Sequence, residues 1–217
     1  MEIICVCASN ILHSGEDSVS QRLCAIAANH LAQAGAVCEI VCLRDYDLSP
    51  CTGCGGCFHT LRCCRDNAFN ALYERLVRSD GLLFVSPHYA PIPARLCMLL
   101  EKMEEIAFLH WWKDSGYRAE TWGIPAGIVS HGGGAGCALK SYKAMVNDTI
   151  ANALDTIQCR VVPYHSPWDT GLALPVSRVE EGAGIFPIQR YDWEGITLQL
   201  TGYADMLLQA ARAGRSK

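Results

Sequence analysis

The sequence predicts an α/β fold: a doubly wound, five-stranded parallel sheet with helices on both faces. Short apolar runs alternate five times with segments of helical periodicity along the 217 residues. The strand runs are continuously apolar instead of alternating, as strands buried on both faces must be. No internal repeat or low-complexity linker interrupts this order, which predicts a single domain over residues 1–217.

Ile3 to Cys7 is the first strand run and ends in the loop Ala8-Ser9-Asn10. Ser20 to Gln33 carries Leu23, Ile26, Ala27, His30 and Leu31 at helical spacing, and Gly35 stops it. Val37 to Leu43 is the second strand, and Asp66 to Arg78 a helix with Phe69, Leu72, Tyr73 and Leu76 on one face. Gly81 to Ser86 is the third strand, Ala94 to Leu109 a helix, and Gly123 to Ser130 the fourth strand. Cys137 to Ala153 reads as helical, Cys159 to Val162 as the fifth strand, and Gly195 to Ala213 as the closing helix. The one long irregular stretch runs from Pro163 to Trp193. Loops of that length are commonly functional or interfacial.

Composition narrows the function. Half of the residues are hydrophobic and the net charge is −4, so neither a nucleic-acid footprint nor an attraction to anionic membranes is expected. No apolar run approaches the ~20 residues that span a bilayer. Met1 to Val6 opens with an acid, lacks a basic leader and reads as a strand, which predicts a cytoplasmic protein. The 13 cysteines then suggest something other than a disulfide scaffold. Cys5, Cys7, Cys38, Cys42 and Cys97 lie in apolar runs and read as buried filler. Cys51, Cys54, Cys57, Cys63 and Cys64 crowd into one segment, which filler does not explain.

In a doubly wound sheet, ligands sit beyond the carboxyl ends of the strands. The loop after the first strand offers Ser9, Ser18 and Ser20 near a helix N-terminus, where hydroxyls, N–H groups and the helix dipole favour a phosphate. Ser18 or Ser20 is equally readable as a plain N-cap. After the third strand, three prolines stiffen Ser86 to Pro93, and His88 and Tyr89 offer flat surfaces to a ring. After the fourth, the glycines of Ser130 to Gly136 let the backbone approach a ligand closely.

Together these loops resemble the three FMN loops of the NAD(P)H-dependent FMN reductase superfamily, over about residues 1–163. The resemblance implies a flavodoxin-like fold, Ser9, Ser18 and Ser20 at the FMN phosphate, and Pro87, His88, Tyr89, Ala90, His131, Gly132, Gly133 and Gly134 around the isoalloxazine. The chain departs from the pattern at Ala8, usually glycine. Its first loop is longer and carries Glu16 and Asp17 where basic residues are common. Cys97, Glu101 and Lys102 also stand where Lys, Asp and Arg are frequent.

The cysteine segment, residues 49–65, has the spacing Cys51-x2-Cys54-x2-Cys57-x5-Cys63. Four thiolates so closely spaced, with glycines to curl the chain, can ligate one 4Fe-4S cluster. The motif is similar to that of the iron–sulfur flavoproteins, a branch of the same superfamily. Cys64 could replace Cys63, and His59 reads as surface. An inherited, cluster-free loop and a zinc site remain alternative readings.

The function expected is electron transfer through a 4Fe-4S cluster and FMN, from ferredoxin or NAD(P)H to a small-molecule acceptor. No catalytic acid, base or nucleophile is called for. A cluster-free NAD(P)H-dependent flavin, quinone or azo reductase and a flavodoxin-like electron carrier are the alternatives. The resemblance further implies a homodimer or homotetramer.

Overall fold

In the computed structural model, which describes residues 1–11, 18–182, 184–185 and 187–215, the first apolar run forms β1 (Glu2–Cys7). Ile3, Cys5 and Cys7 join the core on one face of the sheet, and Ile4, Val6 and Ala8 the core on the other. A strand apolar on both sides is stable only in a sheet covered on both sides. α1 (Val19–Gln33) follows, capped by Ser18, whose Oγ accepts the Gln21 N–H at 3.4 Å. Residues 12–17, which include Glu16 and Asp17, lie outside the described residues.

The chain continues through β2 (Val37–Cys42), the single turn α2 (Cys57–Thr60), α3 (Asn67–Arg78), β3 (Gly81–Pro87), α4 (Ala94–Lys113) and β4 (Pro125–His131). The strand order is β2-β1-β3-β4-β5, every neighbouring pair parallel, with β5 at Arg160–Val161. This is the flavodoxin-like order, whose winding reverses between β1 and β3. α1 and the C-terminal helix pack on the face of Ile3 and Cys5, while α3, α4 and the helix before β5 pack on the face of Ile4 and Val6.

Three details differ from the sequence reading. The stretch 137–153 is helical as expected but not uniformly α. α5 (Leu139–Tyr142) passes through a π-turn at Lys143–Asn147 into α6 (Asp148–Thr156). The wide turn carries Asn147 into the interior, where its Nδ2 reaches the carbonyls of Thr170 at 3.4 Å and Leu172 at 3.3 Å. Second, β2 is an edge strand and is not buried on both faces, so Cys38 and Cys42 are only half-buried. Cys97 is exposed on α4 and is not core filler.

Third, the fifth sheet position holds two strands. β5 pairs with Pro125 and Ala126, and β6 (Leu172–Leu174) pairs with Val129 to His131 further along β4. Residues 163–171 leave the sheet between them. Tyr203 of α7 (Trp193–Arg212) closes the gap: its buried hydroxyl accepts the Ile128 N–H at 3.1 Å and donates to the Val162 carbonyl at 2.6 Å. The irregular stretch also contains the antiparallel pair β7 (Arg178–Glu180) and β8 (Ile188–Arg190). Among the described residues no helix is long and apolar enough to cross a membrane.

Candidate functional site

Two cavities lie beside the loops that the sequence singles out. The first, of about 290 Å³, opens past the ends of β1, β3 and β4. Ser9, Ser18 and Ser20 line it from the first loop, Pro87, His88 and Tyr89 from the second, and His131, Gly132 and Gly133 from the third. The second and third loops are tied together by the His88 N–H, which donates to the His131 carbonyl at 2.8 Å. Two expected residues are elsewhere. Ala90 faces a neighbouring groove. Gly134 anchors its loop, donating its N–H to Tyr142 Oη at 2.5 Å and accepting the Val176 N–H at 3.1 Å.

The sequence reading misses the far wall, Gln189 and Tyr191, which enter the cavity from the end of β8. Tyr191 Oη donates to Gln189 Oε1 at 2.8 Å. The aromatic content of the Pro163 to Trp193 stretch was the only signal. Also missed is Arg44, beyond β2, whose guanidinium donates to the Ile11 carbonyl at 2.7 Å and to Gln21 Oε1 at 3.0 Å. It brings a positive charge to the first loop from outside it.

The cavity suits a flavin phosphate ester in three respects. Ser9 and Ser20 are buried at its edge beside the α1 N-terminus, where an anion is favoured. A Cβ on Gly132 would lie 2.7 Å from Tyr142 Oη and one on Gly133 2.6 Å from Gln189 Nε2, so only glycine leaves this wall flat. His131 is buried, with Nε2 2.7 Å from Ser20 Oγ, and its Nδ1 has no hydrogen-bond partner among the described residues. A buried polar atom without a partner is costly, and a bound ligand would supply one here.

Burial pushes the His131 pKa down to about 4, so the ring is neutral at physiological pH. The unfolded chain, with an ordinary histidine, takes up this proton near pH 6.5 and the folded protein only near pH 4. Stability from this group is therefore present above pH 6.5 and is lost as the pH falls towards 4, by on the order of 3 kcal/mol. Urea unfolding at pH 7, 5 and 4 is expected to show this loss, and His131→Gln to flatten it.

The second cavity, of about 220 Å³, is lined by all five crowded cysteines, Cys51, Cys54, Cys57, Cys63 and Cys64. Gly53 and Gly55 take positive φ, +62° and +68°, which turns the chain so that the thiols face inward. Cys54 and Cys64 approach to 3.7 Å between sulfurs. The Gly56 N–H, and next Cys64, draw the exposed Cys54 thiol down to about 7, whereas burial raises Cys57 to about 11. His59 is exposed, as expected. Among the described residues no three Cys, His, Asp or Glu side chains converge closely enough to hold one metal ion. The thiols surround a space; they do not meet at a point.

The base of the cysteine loop is locked by protein contacts. Asp66, the N-cap of α3, accepts from the Phe69 N–H at 2.8 Å, the Ser49 N–H at 2.9 Å and Ser49 Oγ at 3.0 Å. Lys102 of α4 pairs with Asp66 and also donates to the Ser49 carbonyl; both charged side chains are almost wholly buried. Burial opposes ionisation of Asp66, but Lys102 and the hydrogen bonds from Ser49 and Phe69 prevail and hold its pKa at about 2. The preceding residue on α4, Glu101, accepts the Cys51 N–H at 2.5 Å. Asn70 grips the other end, its side chain bonding the Cys63 N–H at 2.8 Å and carbonyl at 2.7 Å.

Comparison with known proteins bears on both cavities. Over 77 residues, 35% of the chain, the protein is 29% identical to an iron-sulfur flavoprotein of Methanocaldococcus jannaschii, and the match spans 40% of that relative's length. RosB, solved with 8-demethyl-8-formylriboflavin-5'-phosphate bound, superposes with a TM-score of 0.68 at 16% identity over 98% of this chain and 79% of its own. The NAD(P)H:acceptor oxidoreductase FerB of Paracoccus denitrificans superposes with a TM-score of 0.62 at 14% identity over 98% of both chains. Structural likeness at such identities establishes the fold alone. The family model described as NADPH-dependent FMN reductase matches residues 1–167, and on that match the chain belongs to this family of FMN-dependent oxidoreductases.

Proposed function

We propose that the protein holds FMN in the strand-end cavity and a 4Fe-4S cluster in the cysteine cavity, and moves electrons between a donor, ferredoxin or NAD(P)H, and a small acceptor. The observation that carries the reading is the ring of cysteines around one space, beside a cavity suited to a flavin. The family match and the methanogen relative support the two halves of it separately.

When bound, FMN supplies two-electron chemistry with single-electron release, and an iron–sulfur cluster one-electron transfer. The chain's own contribution is position and environment. Ser9, Ser18 and Ser20 offer hydroxyls at the positive end of α1 to a phosphate, and Arg44 holds the start of that loop. Gly132 and Gly133 keep one wall of the ring site flat, while Pro87, His88 and Tyr89 form the other. His131 stays neutral and offers Nδ1 as a partner. Cys51, Cys54 and Cys57, with Cys63 or its neighbour Cys64, supply the thiolates, and the Arg65 guanidinium, which also lines this cavity, offsets part of their charge. Phe108, Trp111 and Trp112 form an exposed aromatic patch that a homodimer or homotetramer could cover.

A cluster-free NAD(P)H-dependent reductase is favoured by one observation: Asp66 and Lys102 hold the base of the cysteine loop through Ser49, protein contacts in which no cysteine takes part. Anaerobic purification followed by iron, sulfide and FMN assays separates the two. Roughly four irons and one FMN per chain are expected. FMN without iron, even after reconstitution, would overturn the cluster and leave the reductase; absence of both would overturn the flavin reading.

A further inference from the structure

The far wall of the flavin cavity is built by a segment outside the family match. That match ends at residue 167, whereas Gln189 and Tyr191 enter from β8 and its end. The strap that carries them is stitched to the third loop. The Val176 N–H donates to the Gly134 carbonyl at 3.1 Å, and the Ser177 N–H and Oγ both donate to the Arg190 carbonyl, each at 2.8 Å. Gln189 directly precedes this second tie and is paired with Val179 across the β7–β8 ladder. Its amide lies against Gly133, where a Cβ would stand 2.6 Å from Gln189 Nε2. The glycine of the third loop and the glutamine of the strap therefore fit each other.

Tyr191 decides which end of that amide is left for a ligand. Its hydroxyl donates to Gln189 Oε1 at 2.8 Å and stands 3.5 Å from the Gly132 carbonyl. Burial pushes the Tyr191 pKa up to about 12, so the hydroxyl keeps its proton and remains a donor at physiological pH. With Oε1 taken, the amide offers Nε2, and among the described residues no group accepts from it. A donor held in this way on the wall of a ring site suits a ring edge that carries acceptors. The pyrimidine edge of an isoalloxazine has carbonyl oxygens and ring nitrogens, and its dimethylbenzene edge has none. Reduction adds negative charge to the pyrimidine edge, and a hydrogen bond to a charged acceptor is stronger than one to a neutral acceptor. We propose that Gln189 donates Nε2 to the pyrimidine edge of the flavin and so favours its reduced form, with Tyr191 as the positioning residue that fixes the amide. The proposal rests on the flavin reading above and deepens it from where the ring binds to what sets its potential.

The test measures the dissociation constants of oxidised and of reduced FMN separately, without oxygen, by equilibrium binding to the full chain. Gln189→Leu keeps the bulk and removes the donor. It is expected to weaken reduced FMN about tenfold more than oxidised FMN, which lowers the two-electron potential of the bound flavin by ~30 mV. Gln189→Glu keeps the shape and the bond from Tyr191 but presents a negative charge, and is expected to lower the potential at least as far. Tyr191→Phe frees the amide to turn and is expected to give a smaller fall in the same direction. Added to Gln189→Leu it is expected to change the potential no further, since the group it positions is already gone. A wall that only fills space predicts a different pattern: Gln189→Glu behaves as the unsubstituted protein, and the other variants weaken both forms of FMN alike. Either that pattern or an unchanged potential overturns the proposal and leaves the flavin reading intact. Failure of the unsubstituted protein to bind FMN overturns both.

Discussion

Replacing Cys54 by serine is expected to strip the protein of iron while FMN stays bound. Cys54 is exposed, lies closest to Cys64, and its thiol is drawn towards the thiolate by the Gly56 N–H. Removing it deletes one corner of the cysteine cavity and touches nothing in the flavin cavity, whose lining comes from other loops. The expected result is loss of roughly four irons per chain and of the broad visible absorbance, with the flavin spectrum retained. Serine at Cys63 and at Cys64, tested singly, identifies the fourth ligand by which variant loses iron. Joint loss of iron and FMN in Cys54→Ser would show instead that the cysteine loop chiefly supports the fold.

Lys102→Met is expected to be the most destabilising single change in this region. It leaves the Asp66 carboxylate buried without its counter-charge, an arrangement that costs about 3–5 kcal/mol. Lys102→Met with Asp66→Asn is expected to recover much of that loss, since both buried charges are then gone and the asparagine oxygen still accepts from Phe69. Urea unfolding of the two single variants and the double variant gives the coupling directly. Because Lys102 and Asp66 both hold Ser49, the single variant is also expected to lose iron with every cysteine still present. Additive effects in the cycle would mean that the pair does not act as a unit.

What was legible in the sequence was whatever chain-local chemistry decides. Leu82 to Val85 and Pro125 to Val129 are apolar on both faces because helices cover both, and that pattern survives without knowing the partners. The three strand-end loops were legible because proline, glycine and serine act on their own backbone. Gln189 and Tyr191 were not, because β7 and β8 are three residues each, largely exposed, and carry no period to read. Cys97 was misread because an apolar run on a helix still turns some residues outward. The burial of Lys102 was out of reach for a different reason: a lysine in a helix reads as solvated until its partner, 36 residues away, is seen beneath it.

The junction where β5 stops and β6 resumes gives the fold a place to be edited. Tyr203 uses one hydroxyl to tie the end of β5, at Val162, to Ile128 of β4, so the sheet beside the break is held by a residue 41 positions downstream of Val162 and not by the excursion itself. Chain inserted before Thr170, which Asn147 and Asp148 hold in place, is therefore expected to leave the register of β4 unchanged. The fold in this way separates what must be kept, a hydroxyl at the splice, from what is free to change, the length and chemistry of the graft.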